Sequence, residues 1–432
     1  MKSNPPAATD VGSLVDHLFR QHAGRMLATL TRLVGARHLA LAEEVVQDAL
    51  ITALQQWPFQ GVPANPSAWL VQVAKHRALD RLRRDRSFAE KEHDVTAAFE
   101  SRASAWLSPG AAGEKLHRPF DDDELCMMFM ACHPDIPRES RVALTLKTVG
   151  GFSVPEIAQA FLAREAAVAQ RLVRVKRFIR ERDIPLDLPV ASEMSARLDS
   201  VLEVLYLMFN EGYAAHSGES LVRHDLVHEA IRLARMLMQQ PATALPRTHA
   251  LVALMLLQAA RIPARADADG DLFVLEDQDR AAWDRAMIAD GMRHLDASAQ
   301  GDEVSAYHLQ AGIAAAHAAA PSYAATDWRE IVSLYDALLE LEPSPVVALN
   351  RAIALSRVDG PDAGLRALDP LRDDPTLAQY VLFHATLGEL SREAGDAAAA
   401  ARHYDTALAL PSSAPARRCL ERRRGTIRAA RP

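Results

Sequence analysis

Aromatic residues are few, 6% of this 432-residue chain, and there are three cysteines, Cys126, Cys132 and Cys419. Three thiols do not make an even disulfide framework, so a reducing compartment is expected. The opening stretch MKSNPPAATDVGSLV has no apolar signal core. The longest apolar run, near Ala250–Ala260, is too short to cross a bilayer. These absences point to a soluble cytoplasmic protein with no membrane partner. A Gly-rich phosphate loop, a nucleophile elbow and a paired-carboxylate pattern are missing too. No enzymatic activity and no cofactor are expected.

Hydrophobic residues make up 49% of the chain. That is enough to fold, and the length suits two to four domains. Abundant alanine favours helices, because its side chain loses no entropy in one. An all-α fold is expected. The net charge of -7 is unevenly spread: residues 1–183 carry a slight basic excess and residues 184–432 a strongly acidic one. The first part suits a polyanion if its basic residues cluster. The second, taken whole, is repelled by DNA.

Helical spacing of Leu14, Leu18, Leu27, Leu30 and Val34 opens a helical domain over 11–86. Further helices are predicted over Leu41–Trp57 and Pro66–Arg84, with Pro58, Gly61, Pro63 and Pro66 breaking the chain between them. Residues 87–120, with SPGAAGE, read as a linker. Helices resume over 121–183 and stop at DIPLDLPV. Residues 190–432 read as a C-terminal helical domain. From about 325 a weak repeat appears: YDALLELEP from Tyr335 is echoed by YDTALALP from Tyr404, two periods of about 34 residues later. That period is similar to tetratricopeptide repeats.

Three segments carry chemistry. In GFSVPEIAQAF, Ser153 and Glu156 have the spacing of a capping box, and Pro155 sits in the first turn. The following helix, Glu165–Arg182, puts Val168, Leu172, Val175 and Ile179 on one stripe. Its basic residues fall largely off that stripe. This is a helix-turn-helix layout, whose second helix would enter a major groove. The run KHRALDRLRRDR from Lys75 follows Trp69 on the same helix, and basic and aromatic residues together suit single-stranded nucleic acid. The plain alternatives are a solvated basic helix and a core tryptophan. Finally, AEEVVQDALITAL exposes Glu43, Glu44, Gln47 and Asp48, which alone would be a solvated helix face.

In order and spacing these segments resemble the extracytoplasmic-function (ECF) sigma factors, over about residues 11–183. AEEVVQDALITALQQW is similar to their helix that docks on the clamp of RNA polymerase. PSAWLVQVAKHRALDRLRR resembles the helix facing the −10 promoter element, and the segment Gly151–Arg180 resembles the −35-reading helix-turn-helix. The resemblance implies three sets of residues. Glu43, Glu44, Gln47 and Asp48 would bind core RNA polymerase. Phe59, Trp69, Lys75, His76, Arg77, Arg81 and Arg84 would meet melted −10 DNA, with a base held in the loop Phe59–Ser67. Arg164, Gln170, Arg171, Arg174, Lys176 and Arg177 would meet duplex −35 DNA. The chain departs from the family pattern at His76, usually Asn, at Leu162 and Ala163 in the turn, and at Leu54, often Trp. The C-terminal domain resembles that of a subgroup with a fused regulatory extension, a candidate contact for the sigma domains or polymerase.

The remaining constellations are weaker. His224 and His228 share a helix face beside Glu229, with His216 or Glu211 as a third zinc ligand, but a polar helix start explains them better. No metal is expected. Cys126 and Cys132 read as core sulfur. Asn210–Tyr213 reads as a helix C-cap with Gly212 left-handed, or else as the edge of a ligand pocket. The arginines of 417–431 fit a solvated last helix or a third contact with DNA or polymerase. The competing function is a ligand-responsive helix-turn-helix repressor or activator, which has no need of the segments at Ala42–Leu54 and Pro66–Arg84.

Overall fold

The computed structural model describes residues 38–84, 120, 122–182, 184, 189–216, 218, 220–267 and 270–429, with Met26, Leu27, Leu30, Thr31 and Val34. Among these residues the chain is all-helical, and the one extended feature is an antiparallel bridge between Ala266 and Leu272. Leu14 and Leu18, and the linker up to 119, lie outside the described residues. The chain divides into two compact units. The first holds 1–158 and 164–204, the second 159–163 and 205–432.

In the first unit, α1 (Leu39–Gln60) and α2 (Pro66–Arg84) pack against each other. Pro58 does not break α1 as expected; the helix passes through it and stops at Gly61, which takes φ 80°. The preceding Trp57 is buried, its ring centroid 5.4 Å from that of Trp69 in a T-shaped contact. Helix α2 begins where Asn65 Oδ1 accepts from Ala68 N at 3.1 Å, with Pro66 in the position that needs no donor.

Next come α3 (Asp123–Ala131), α4 (Arg138–Thr148), α5 (Val154–Ala160) and α6 (Glu165–Glu181). The Asp122 carboxylate caps α3, accepting from the amides of Glu124 and Leu125. Cys126 and Cys132 are buried and unbridged, and burial pushes the Cys132 thiol up to about 12. Helix α7 (Ala191–Tyr213) starts in this unit. Its buried Arg197 donates to the Phe129 carbonyl at 2.9 Å, and Arg141 donates to Ser200 Oγ at 2.7 Å.

The second unit continues with α8 (His224–Leu237), α9 (Pro246–Ala259), α10 (Arg285–Ser298), α11 (Ala306–Ala319), α12 (Trp328–Leu341), α13 (Pro345–Asp359), α14 (Pro361–Leu368), α15 (Val381–Glu393), α16 (Ala397–Ala409) and α17 (Ala414–Ala429). The apolar run noted near Ala250 is α9, buried along nearly its whole length between α8, α10 and α11. No helix among the described residues is long and apolar enough to cross a membrane. From α12 onward each helix packs chiefly on its sequence neighbours. Gly360 and Gly395 turn the chain with φ 87° and 85°. Gly388 lets α15 approach α16, since a Cβ there would stand 3.2 Å from three atoms of the Tyr404 ring.

Gly212 corrects a sequence expectation. It lies inside α7 rather than at a left-handed cap. A Cβ on it would come within 2.8 Å of Val227 N. The glycine is there so that α7 and α8 can touch.

Candidate nucleic-acid interface

The helix-turn-helix is built from local signals. Ser153 N donates to Glu156 Oε2 at 2.6 Å, and Glu156 N donates to Ser153 Oγ at 3.3 Å, closing the capping box of α5. Leu162, in the turn, has φ 48°. This left-handed conformation favours glycine, which is what the resemblance leads one to expect there. On α6, Val168, Leu172, Val175 and Ile179 are all buried. Each such side chain contributes about 1.5–3 kcal/mol by leaving water, which fixes the rotation of α6 about its axis.

That rotation decides what faces outward. Arg164, Gln170, Arg174 and Arg177 are exposed. Arg177 lies 3.6 Å from Glu181 on its own helix. Arg171 and Lys176 are half-buried instead. Arg171 pairs with Glu139 of α4 at 2.5 Å, and Lys176 pairs with Glu43 of α1. Val173, 69% exposed, stands among the outward residues. Charge does not single it out in the sequence, but it sits three residues after Gln170, on the face opposite the buried stripe.

On α1 and α2 the acids and bases engage one another. Arg81 binds Glu44 at 2.6 Å and Asp48 at 3.2 Å, and Arg77 binds Asp48 at 3.1 Å and the Thr52 hydroxyl at 2.8 Å. The hydrogen bond that Arg81 donates to Glu44 raises the Arg81 pKa above its ordinary value. Solvent screens exposed pairs of this kind and leaves them weak, so they hold the side chains in place and can be exchanged for other partners. Gln47 is exposed beside Ile51 (51%) and Leu54 (44%), and these make an outward stripe with Glu44. Ile51 was another residue that charge-based reading passed over. Phe59 is 89% exposed, but in the last turn of α1 rather than in the loop. Trp69 is half-buried against Trp57, and His76 is exposed. Lys75 is only 8% exposed. It falls on the packed side of α2 with Val71 and Ala78, which does not suit a phosphate contact. The Arg84 side chain lies outside the described residues.

Comparison with known proteins gives these surfaces their context. Residues 18–88 match sigma-70 region 2, and residues 126–179 match sigma-70 region 4. The chain is 41% identical over 380 residues, 88% of each chain, to an uncharacterized protein, R00370, of Rhizobium meliloti (strain 1021). The chain belongs to the sigma-70 family. Its regions 2 and 4 are paired as in the ECF type and are followed by a fused C-terminal domain, of which residues 197–299 match a family of unknown function, DUF6596. No solved structure matches. Sigma-70 factors act in transcription initiation as DNA-binding subunits.

Elsewhere, no group of three or more metal-ligating side chains occurs among the described residues. The rings of His224 and His228 lie 6.1 Å apart, tilted by 48°, while Glu211 pairs with Arg223 at 3.7 Å and accepts from His216 N. The arginines of α17 hold the second unit together. Arg418 and Arg422 pair with Asp271, Arg423 with Glu389, and Arg424 with Asp405.

Proposed function

We propose that the chain is an ECF-type sigma factor whose region 2 binds the polymerase clamp and melted −10 DNA and whose region 4 reads duplex −35 DNA. The observation that carries the reading is the outward face of α6, where Gln170, Val173, Arg174 and Arg177 line one side of a helix rotated by its buried stripe. Arg and Gln supply the bidentate donors that base edges accept, an apolar Val suits a thymine methyl, and Arg164 at the helix start suits a phosphate. Arg171 and Lys176 would contribute after leaving their carboxylates.

Clamp binding is assigned to Glu44, Gln47, Ile51 and Leu54, with Glu43 and Asp48 at the margin. The −10 contact is assigned to Phe59, Trp69, His76, Arg77 and Arg81; burial removes Lys75 from that set. The work of such a factor lies in the cytoplasm, with core polymerase and the chromosome. Helices from about 325, paired through glycine turns, are assigned to a tetratricopeptide-like regulatory array. A stand-alone repressor would leave the region 2 match without a use.

The test is run-off transcription with core RNA polymerase on DNA upstream of the chain's own gene. A discrete transcript that depends on this protein and is lost in the Arg174→Ala variant supports the reading. Absence of both transcript and binding to core polymerase overturns it.

A further inference from the structure

The second unit is acidic overall, yet it gathers arginines where no acid answers them. Arg261, Arg265 and Arg280 form no ion pair with a carboxylate among the described residues. Arg265 is buried, donates to the Tyr213 carbonyl and lies 3.7 Å over the Tyr213 ring. Arg280 is buried as well. It donates to the carbonyls of His317 and Ala320 and to the Thr326 hydroxyl. Among the described residues the Arg261 side chain donates only to Gln278 Oε1, through two long contacts of 3.4 Å. Arg261 and Arg280 converge on one indole, their guanidinium carbons 5.5 and 4.7 Å from the Trp283 ring centroid.

Two more polar atoms in this place are buried without a hydrogen-bond partner among the described residues, Trp283 Nε1 and His317 Nδ1. Trp283 itself is 2% exposed. Burial, and then Arg261 and Arg280, lower the His317 pKa to about 4. Burial and the neighbouring Arg261 and Arg285 lower that of Arg280. A protein interior does not gather like charges and orphan donors without cost; each buried group wants a counter-charge or an acceptor. The other arginine clusters of this unit have one, as at Asp271 and Glu389.

We infer that Arg261, Arg280, Trp283 and His317 form a binding site for a small oxyanion, the carboxylate or phosphate group of a metabolite-sized ligand. The guanidinium of Arg261 is planar and under-used, and such a fork takes two oxygens of an oxyanion side by side. The indole N–H supplies a neutral donor, and His317 in the tautomer protonated at Nδ1 supplies another. The half-buried position of Arg261 is the side from which solvent reaches the group. Three of the four residues fall in the segment that matches the family of unknown function, so the site gives that segment a sensing role.

The experiment is isothermal titration of the full chain with inorganic phosphate and, separately, with succinate, at constant ionic strength set by chloride. It needs neither polymerase nor DNA, so its outcome is independent of the sigma-factor reading. The expected result is saturable binding of at least one probe, with the Kd raised by about tenfold or more in Arg261→Gln. In Trp283→Phe, which keeps an aromatic ring but removes the N–H donor together with the second ring of the indole, a smaller rise is expected. Arg424→Gln, on α17, is the charge-matched control and leaves binding unchanged. Phosphate binding without succinate binding assigns a phosphorylated ligand, and the reverse a carboxylate. Should Arg261→Gln fail to fold by circular dichroism, Trp283→Phe carries the test. No saturable binding of either probe overturns the site, as does binding that is equal in the native chain and in Trp283→Phe and Arg261→Gln.

Discussion

Helices α6 and α17 are both rich in arginine, but they use it in opposite ways. On α6, Arg174 and Arg180 are exposed and their side chains make no ion pair or hydrogen bond among the described residues, and the Arg177 side chain has only a distant intrahelical partner. On α17, Arg418, Arg422, Arg423 and Arg424 all bind carboxylates supplied by other segments, and Arg417 donates to the Leu408 carbonyl. Arginine content alone therefore does not mark a DNA-binding helix. On α6 the outward Arg174 and Arg180 have no acid within reach among the described residues, and that depends on which helices pack nearby.

This contrast can be broken or sharpened by substitution. The largest effect is expected on α6. Replacing Arg174 and Arg177 together by Ala should cut run-off transcription by about a hundredfold, at about 1–3 kcal/mol per lost base contact, while thermal unfolding stays near that of the native chain. A large loss of stability instead would mean that these arginines hold the fold, like those of α17.

Next is Gly364→Ala in α14. A Cβ there would meet Ser356 Cβ at 2.7 Å and Leu390 Cδ1 at 2.9 Å. Overpacking of this kind costs about 1–3 kcal/mol, read by urea unfolding, and should leave promoter binding intact.

Arg423→Ala should destabilise by about 1–2 kcal/mol, less than for a fully buried pair because both partners are partly solvated. Its signature is in the pH dependence. Burial raises the Glu389 carboxyl, but hydrogen bonds from Arg392, Arg423 and Tyr404 outweigh it and hold the group at about 2. The folded state thus refuses a proton that the unfolded state accepts. The stabilisation is complete above the unfolded value, near 4.5, and is lost as the pH falls towards 2. In Arg423→Ala the stability difference from the native chain should shrink over that interval. A difference that stays constant would show that Arg423 acts by packing alone.

The smallest effect is that of Glu44→Gln. Unfolding should stay close to that of the native chain, because its pair with Arg81 is exposed and screened by solvent. Affinity for core polymerase should fall measurably in a pull-down titration.

The helix-turn-helix was legible in the sequence because its determinants are local: a capping box spans three residues, and the stripe Val168–Ile179 repeats within one helix. Helix α2 was readable for the same reason, since Pro66 and the basic run mark its ends. What could not be read depends on chain segments far apart. The pairing of Arg77 and Arg81 with Asp48 and Glu44, and of Lys176 with Glu43, follows from helix packing. So does the burial of Lys75, whose charge suggested a surface. Gly212 was misread because a glycine required for φ and one required for a close approach look alike in a sequence. The cluster around Trp283 stayed hidden since His317 comes from α11, more than thirty residues further along the chain.

The contact of Gly388 with the Tyr404 ring has a consequence for descent. The two positions fill one volume, so neither is free to vary alone: a lineage that enlarges residue 388 must first, or at once, have shrunk residue 404. Among divergent copies of this gene the two sites should be inherited as a linked pair, and a chimera joining α15 of one copy to α16 of another should inherit the mismatch rather than either parent's fit.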